Sequence, residues 1–182
     1  MVNKVRYKHW LFYLLIIISI ISVSACGNGQ DTPGPDKENQ KEPASKEYSL
    51  DQEVNAGKLG YVVSEVKKDN KIGENEFLQK TTENQFLLVK VKVTNNDQEA
   101  RTIDTSLFKL NDSEGREYTA MADADLYVNE GSGFFLAQVN PGTSKSGYIV
   151  FETPQDISGL KLQVSSGLGW SGGEYEIINL EQ

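Results

Sequence analysis

The sequence has few of the side chains on which most catalytic and metal sites depend. Its 182 residues include one histidine, His9, and one cysteine, Cys26, and both lie close to the N-terminus. In the chain after Cys26, this excludes a serine–histidine or cysteine–histidine nucleophilic pair, a zinc site of histidine and cysteine ligands, and a disulfide. That part of the chain has to be stabilised by its own hydrophobic core.

Residues 1–25 have the order of features that is typical of a secretory signal peptide. A basic start with Lys4, Arg6 and Lys8 precedes an apolar run over residues 10–25, which ends in small side chains. This run is shorter than the ~20 residues that a membrane-spanning helix needs. We therefore expect a targeting segment that is removed.

The last residues of this segment, Ser22-Val23-Ser24-Ala25-Cys26, resemble the lipobox of bacterial lipoproteins. The resemblance implies cleavage between Ala25 and Cys26, a diacylglyceryl group on the sulfur of Cys26 and an acyl chain, such as palmitate, on its new amine. Two acyl chains give stable anchoring, whereas one binds a membrane only marginally. The expected location is the extracytoplasmic face of the cell membrane. The alternative is an ordinary cleaved signal, or a short anchor, with an incidental thiol.

Charge limits the partners of the remaining chain. Residues 1–25 contain three of the 18 basic residues and none of the 26 acidic ones, so the rest carries 15 basic residues and a formal charge of −11. An acidic surface disfavours nucleic acid and gives no polybasic attraction to lipids. Residues 26–47 have no apolar periodicity and are predicted to be a disordered tether with a span of about 25 Å.

Strands are predicted from an alternation of apolar and polar residues. The clearest strand is 85–95, where Leu87, Val89, Val91 and Val93 share one face while Lys90 and Lys92 share the other. Residues 107–120 are typical of a hairpin with Gly115 in its loop, and Pro141-Gly142 fits a type II turn. Further strands are expected at 59–66, 100–104, 147–151, 160–164 and 175–180. About seven short strands predict an all-β fold, an antiparallel immunoglobulin-like β-sandwich over residues 48–182.

Three motifs carry a resemblance to a known family. They are VKVKVTNN (89–96), FKLNDSEGREY (108–118) and VNPGTSKSGYIVFETP (139–154). Together they are similar to the domain of unknown function 4352 family, whose members are bacterial extracellular domains with a telokin-like, immunoglobulin-like sandwich and often a lipoprotein signal. The resemblance implies that fold and an extracytoplasmic location. It implies no established activity and no catalytic residues.

Acidic residues between 121 and 139 raise the question of a metal or catalytic site. Asp123, Asp125, Asn129 and Glu130 offer oxygen ligands that suit calcium, but Tyr127 stands at the fifth position of the loop, where a ligand is needed. We expect solvated loop carboxylates and no metal or cofactor. Glycoside hydrolysis needs two acids facing each other across a cleft, and no acid stands in an apolar sequence setting that would raise its pKa.

Aromatic residues are the other candidates for a site. Trp170 lies among glycines and is a candidate, with Tyr127, for contact with a partner, although the pattern favours Trp170 as a lid packed on the end of the sandwich. Phe134, Phe135 and Tyr175 are interpreted as core residues. The glycine-rich stretch around Trp170 precedes no helix and no lysine, so it does not indicate phosphate binding.

The function that these patterns favour is a lipid-anchored cell-surface lipoprotein with a non-catalytic module that binds or shields something outside the membrane. The expected partners are the membrane itself, through the lipid on Cys26, and a cell-wall polymer or a surface protein. The alternative is a carboxylate-based or calcium-dependent cell-wall hydrolase.

Overall fold

The computed structural model describes residues 46–75, 77–129, 133–167 and 173–181. Within these residues the chain forms eleven strands, one short helix, α1 (Asp125–Val128), and two 3-10 helices at Thr105–Leu107 and Ala122–Ala124. The strands are β1 (Glu47–Tyr48), β2 (Glu53–Ala56), β3 (Leu59–Asn75), β4 (Leu78–Asn95), β5 (Arg101–Thr102), β6 (Phe108–Asn111), β7 (Glu117–Thr119), β8 (Gln138–Val139), β9 (Ser144–Thr153), β10 (Lys161–Ser165) and β11 (Tyr175–Asn179).

Two sheets pack face to face, which confirms the predicted β-sandwich. One sheet has the order β1-β11-β10-β6-β7 and the other the order β2-β3-β4-β9, while β5 and β8 form a separate pair. The strand pairings are antiparallel except for β1 against β11. The number of strands exceeds the predicted seven or so because β1, β2 and β8, with two, four and two residues, are too short to show a clear alternation in the sequence, whereas β5 lies within the strand predicted at 100–104.

The predicted alternation in β4 determines where the main core lies. Leu87, Val89, Val91 and Val93 are fully buried between the sheets, and Lys92 between two of them is exposed. Burying a side chain of this size contributes about 1.5–3 kcal/mol. The predicted turns are confirmed as well, since Gly115 and Gly142 have φ angles of +77° and +72°, which favour glycine.

Strands β3 and β4 are much longer than the sequence pattern predicts. Strand β9 pairs with β4 only as far as Gln85, whereas β3 and β4 remain paired to Asn75 and Leu78. We call the described part of residues 69–84 the arm. Because most residues of the arm are polar, its sequence shows no alternation that would indicate a strand. Phe77 lies at its tip and is 99% exposed.

A second, smaller apolar cluster lies on the opposite face of the four-stranded sheet. It contains Ile72, Phe86, Ala124 and Val150, with Leu88, Met121, Tyr127 and Val128 packed against it. The segment 121–129, which includes α1, covers this part of the sheet. One face of β4 therefore packs against the other sheet, and the opposite face, which we call the outer face, packs in part against α1.

The segments that carry the targeting predictions fall outside the described residues. These are the signal peptide, Ala25, Cys26 and the tether up to residue 45, although β1 begins at Glu47, within the range predicted as tether. In the described part of the chain, no helix is long and apolar enough to cross a membrane.

Candidate binding groove on the outer face

The carboxylate of Asp125 holds the segment 121–129 in place. It accepts hydrogen bonds from the backbone N–H of Phe134 at 2.8 and 3.0 Å and from Nδ2 of Asn129 at 2.6 Å. It thus joins α1 to the loop that follows it. Charged acceptors form stronger hydrogen bonds than neutral ones, so a single carboxylate can fix both ends of this loop.

Asn129 attaches the same segment to the free edge of β9. Its Nδ2 donates to the carbonyl oxygen of Tyr148 at 2.9 Å, and the N–H of Tyr148 donates to its Oδ1 at 2.8 Å. Met121 N–H donates to the carbonyl oxygen of Val150 nearby, at 2.8 Å. The carboxamide replaces a neighbouring strand and satisfies an edge that could otherwise pair with another chain.

Between this segment and the base of the arm, the outer face contains a groove of about 260 Å³. Leu88 contributes to its floor from β4, and Ile72 and Val128 contribute from the arm and from α1. Tyr127 and Tyr148 present aromatic rings to it. The full lining is Lys67, Lys71, Ile72, Gly73, Glu74, Leu88, Tyr127, Val128 and Tyr148.

Two lysines and a glutamate surround the ring of Tyr148. Its hydroxyl donates to Oε2 of Glu65 at 2.5 Å, and Nζ of Lys67 lies 2.8 Å from Oε1 of the same glutamate. The ammonium groups of Lys67 and Lys90 lie 5.6 and 5.5 Å from the centre of the ring. Such distances allow a cation–π attraction.

These contacts fix the charges at this end of the groove. Hydrogen bonds from Lys67 and Tyr148 hold the pKa of Glu65 below its usual value, and the hydrogen bond to Glu65 raises the pKa of Lys67. The hydrogen bond to Glu65 also raises the pKa of Tyr148. At neutral pH, Glu65 is therefore an anion, Lys67 a cation and Tyr148 a neutral donor.

Among the described residues, two carboxylates are buried, and sequence analysis identified neither of them; both form ion pairs within loops. Asp97 pairs with Lys58 and Arg101; hydrogen bonds from Lys58, from the backbone of Gln98 and from Arg101 lower its pKa. Asp112 lies in the β6–β7 loop, where its Oδ2 accepts from Arg116 at 2.6 Å and from Tyr118 at 3.0 Å. Burial would raise the pKa of Asp112, but its hydrogen bonds outweigh burial and lower the pKa to about 2. Neither group is suited to exchange protons with a substrate near neutral pH.

The structure places Asp123 and Asp125, the two aspartates that the sequence offers as calcium ligands, in different environments. Asp123 is largely exposed and forms an ion pair with Lys80, as expected for a solvated carboxylate. The same prediction for Asp125 is wrong, because its oxygens are occupied by hydrogen bonds within the protein. Glu130 lies outside the described residues, and among the described ones no group of three histidine, cysteine or acidic side chains could hold a metal ion.

The predicted aromatic residues also differ in their positions. Tyr127 lines the groove, and Phe134 is fully buried. Phe135 is partly buried and packs against the main core. The interpretation of Tyr175 as a core residue is wrong, because 58% of it is exposed at the start of β11. Trp170 lies outside the described residues.

Sequence analysis did not identify Tyr148, Lys67 or Lys71. A signal was nevertheless present, because Phe86 and Leu88 place apolar side chains on the face of β4 that the alternation assigns to polar residues. Apolar residues on both faces of a strand indicate that both faces are covered.

Comparison with known families and structures agrees with this architecture. The family model of the domain of unknown function DUF4352 matches residues 48–177. No curated protein has significant similarity to the chain.

Several solved structures share the fold at low sequence identity. The yjhA protein of Bacillus subtilis is 11% identical with a TM-score of 0.57, over 74% of this chain and 99% of that one. An uncharacterised β-sandwich protein from Clostridium difficile 630 is 12% identical with a TM-score of 0.51, over 78% and 99%. The secreted protein MPT63 of Mycobacterium tuberculosis is 17% identical with a TM-score of 0.51, over 78% and 100%. At these identities the likeness shows the fold alone.

Proposed function

Since the chain belongs to the DUF4352 family, we propose that it is a lipid-anchored cell-surface lipoprotein whose β-sandwich is a non-catalytic binding module. The observation that carries the proposal is the groove on the outer face. Its two tyrosines and its apolar floor form a concave surface with polar groups at its sides, which is the usual composition of a binding site.

The construction of the groove supports a binding role for it. Asp125 and Asn129 fix the segment that carries Tyr127, and β9 carries Tyr148. Both rings are therefore held by backbone that is hydrogen-bonded before any partner arrives. A site that is already ordered loses less conformational entropy on binding.

The surface location rests on the N-terminal sequence. Ser22 to Cys26 provide the small residues and the thiol that lipoprotein processing requires. A secreted protein, MPT63, shares the fold, which shows that this kind of sandwich can exist outside a cell. In this proposal, the lipid on Cys26 anchors the chain and the sandwich binds cell-wall polymer or a surface protein.

Capture by isolated bacterial cell walls tests the module. The full-length protein, purified in detergent, is incubated with walls and the bound fraction is measured for the wild type and for Tyr127→Ala, Tyr148→Ala and Trp170→Ala. We expect both groove variants to lose capture by about fivefold or more, the order of magnitude for an aromatic contact, and we expect Trp170→Ala to weaken capture without unfolding the domain if Trp170 contacts the partner. Tyr175→Ala is the matched control, because this exposed tyrosine lies on the other sheet.

Two results would contradict the proposal. Unchanged capture by both groove variants, with circular dichroism showing that they are folded, would remove the groove from the site. Release of soluble wall fragments by the wild type that is lost in an Asp123→Asn, Asp125→Asn double variant, shown by circular dichroism to be folded, would instead establish the hydrolase alternative.

A further inference from the structure

We propose that the groove binds an acidic polysaccharide, with sugar rings packed on Tyr148 and Tyr127 and carboxylates facing the lysines around them. This inference rests on the proposed function, since it names the ligand class of the same groove. It follows from where the cations of an acidic protein are placed and from what surrounds them.

Four lysines follow one another along the outer face. Lys67 and Lys90 flank Tyr148, Lys92 continues along β4 and Lys71 lies at the base of the arm; we call these four the lysine stripe. Lys92 pairs with Val62, nine residues before Lys71 on β3, so the stripe extends over roughly 30 Å at about 3.3 Å per residue. This is long enough for several sugar units of an extended chain.

Four of the seven lysines elsewhere in the described residues form ion pairs with carboxylates. Lys58, Lys80, Lys109 and Lys161 each lie within 3.2 Å of an acidic oxygen. In the stripe, Lys67 has such a partner and Lys90 interacts electrostatically with the same Glu65, but within the described part of the chain Lys71 and Lys92 have no such partner. The stripe therefore keeps positive charge on a protein with a formal net charge of −8.

Charge complementarity indicates an anionic ligand, and the tyrosines indicate a ligand with rings. A pyranose ring has an apolar face that packs on an aromatic side chain, while its hydroxyls remain in water or bond to polar groups. Leu88 and Val128 extend the apolar contact below the rings. Glu74, which also lines the groove, would repel a carboxylate, so we place the anionic groups towards Lys67 and Lys71.

Three soluble probes separate the contributions of charge and ring. Fluorescent oligogalacturonate carries both carboxylates and sugar rings, its methyl ester has the rings without the charge, and polyglycerol phosphate has the charge without rings. Full-length protein in detergent is titrated into each probe and the anisotropy is recorded at low and high salt. We expect oligogalacturonate to bind most tightly and to weaken with salt, because salt screens exposed charges.

Single substitutions of two stripe lysines test whether binding of oligogalacturonate depends on the lysine stripe. Lys71→Gln and Lys90→Gln should each weaken oligogalacturonate binding by about two- to fivefold and leave methyl-ester binding unchanged, as expected for exposed charge pairs. Lys46→Gln is the matched control, because Nζ of Lys46 lies 4.7 Å from the ring centre of Tyr48 but Lys46 directly precedes β1, which belongs to the other sheet. Tyr148→Ala should weaken both sugar probes, and Tyr175→Ala neither.

Failure of this inference is distinguishable from failure of the proposed function. Three results would contradict an acidic polysaccharide as the ligand. They are equal binding of oligogalacturonate and its methyl ester, tighter binding of polyglycerol phosphate, or unchanged oligogalacturonate binding by the lysine variants. If wall capture still depended on Tyr148 in that case, the groove would remain a binding site for another ligand. Circular dichroism of each variant checks that it is folded, and Lys71→Gln changes an exposed side chain that the fold does not need.

Discussion

Asp123 and Asp125 are two residues apart in the sequence, but their environments differ completely. Asp125 accepts three hydrogen bonds at 3.0 Å or less from Phe134 and Asn129, whereas Asp123 has one exposed ion pair. Asp125→Asn should lower the free energy of unfolding by about 1–3 kcal/mol, because one acceptor oxygen becomes a donor that faces N–H groups. Asp123→Asn should change it by about 0.5 kcal/mol or less.

Urea unfolding of both variants, followed by circular dichroism, measures this difference. Equal stability of the two variants would show that the loop from α1 to Phe134 does not depend on the carboxylate. In that case Asn129 alone would have to attach the segment to β9.

Asp112 makes stability depend on pH in the acid range. Its pKa is about 2 in the folded protein, against an ordinary value of 3.8. A lowered folded-state pKa contributes stability that is present above the unfolded value and is lost as the pH falls through the folded one. Asp112→Asn should therefore be less stable than the wild type at neutral pH. This difference in stability should become smaller as the pH falls from about 4 to about 2.

Melting temperatures of the wild type and Asp112→Asn across this range test the assignment. Glu114→Gln in the same loop is the control, because Glu114 is exposed and its carboxylate forms an ion pair with the side chain of Arg116, which is itself partly exposed. A gap between wild type and Asp112→Asn that stays constant down to pH 2 would contradict the role of this carboxylate.

At the scale of the elements, a glycine in β9 couples the loop after α1 to the core. A Cβ atom added to Gly147 would lie 2.4 Å from Cδ2 of Phe134, whose ring is fully buried against the strand. Gly147→Ala should therefore displace this ring and destabilise the protein by about 1–3 kcal/mol, the usual cost of overpacking. Glycine inside a strand often marks such a close approach of another group.

A double-mutant cycle tests whether contact with Phe134 causes the loss of stability in Gly147→Ala. Phe134→Ala removes Cδ2 and Cγ, the two ring atoms that the new methyl group would approach most closely, so Gly147→Ala should cost less stability in that background than in the wild type. Additive effects of the two substitutions would show that the cost lies in the backbone of β9.

Strands with a regular alternation of apolar and polar residues could be predicted from the sequence. Elements that depend on contacts between residues far apart in the sequence could not. The buried face of β4 and the positive φ angles of Gly115 and Gly142 follow from local residue patterns. The arm could not be predicted, because its polar residues remain in a strand only through pairing between β3 and β4. The groove could not be predicted for a similar reason. Asn129 and Tyr148 are 19 residues apart in the sequence and come into contact only when β9 is part of its sheet.

For the whole molecule, the anchor and the domain depend on different parts of the sequence. The sandwich buries its core without a disulfide, and its only thiol precedes the first strand. If Cys26 carries the lipid, the thiol is consumed there and reducing agent should leave the melting temperature of the domain unchanged. Membrane attachment and folding are then separable by one substitution.

Cys26→Ser makes that separation in the full-length chain. A serine hydroxyl is a far weaker nucleophile than a thiolate, so the variant should not incorporate labelled palmitate and should accumulate as precursor or be released from the cells. Its melting temperature should match that of the wild type, because Cys26 precedes residues 48–182, over which the sandwich domain is predicted. Ser24→Ala, which keeps a small side chain before the cleavage site, should be labelled normally. Labelling of Cys26→Ser at the wild-type level would show that the lipid is attached elsewhere, and the chain would then need another anchor at the cell surface.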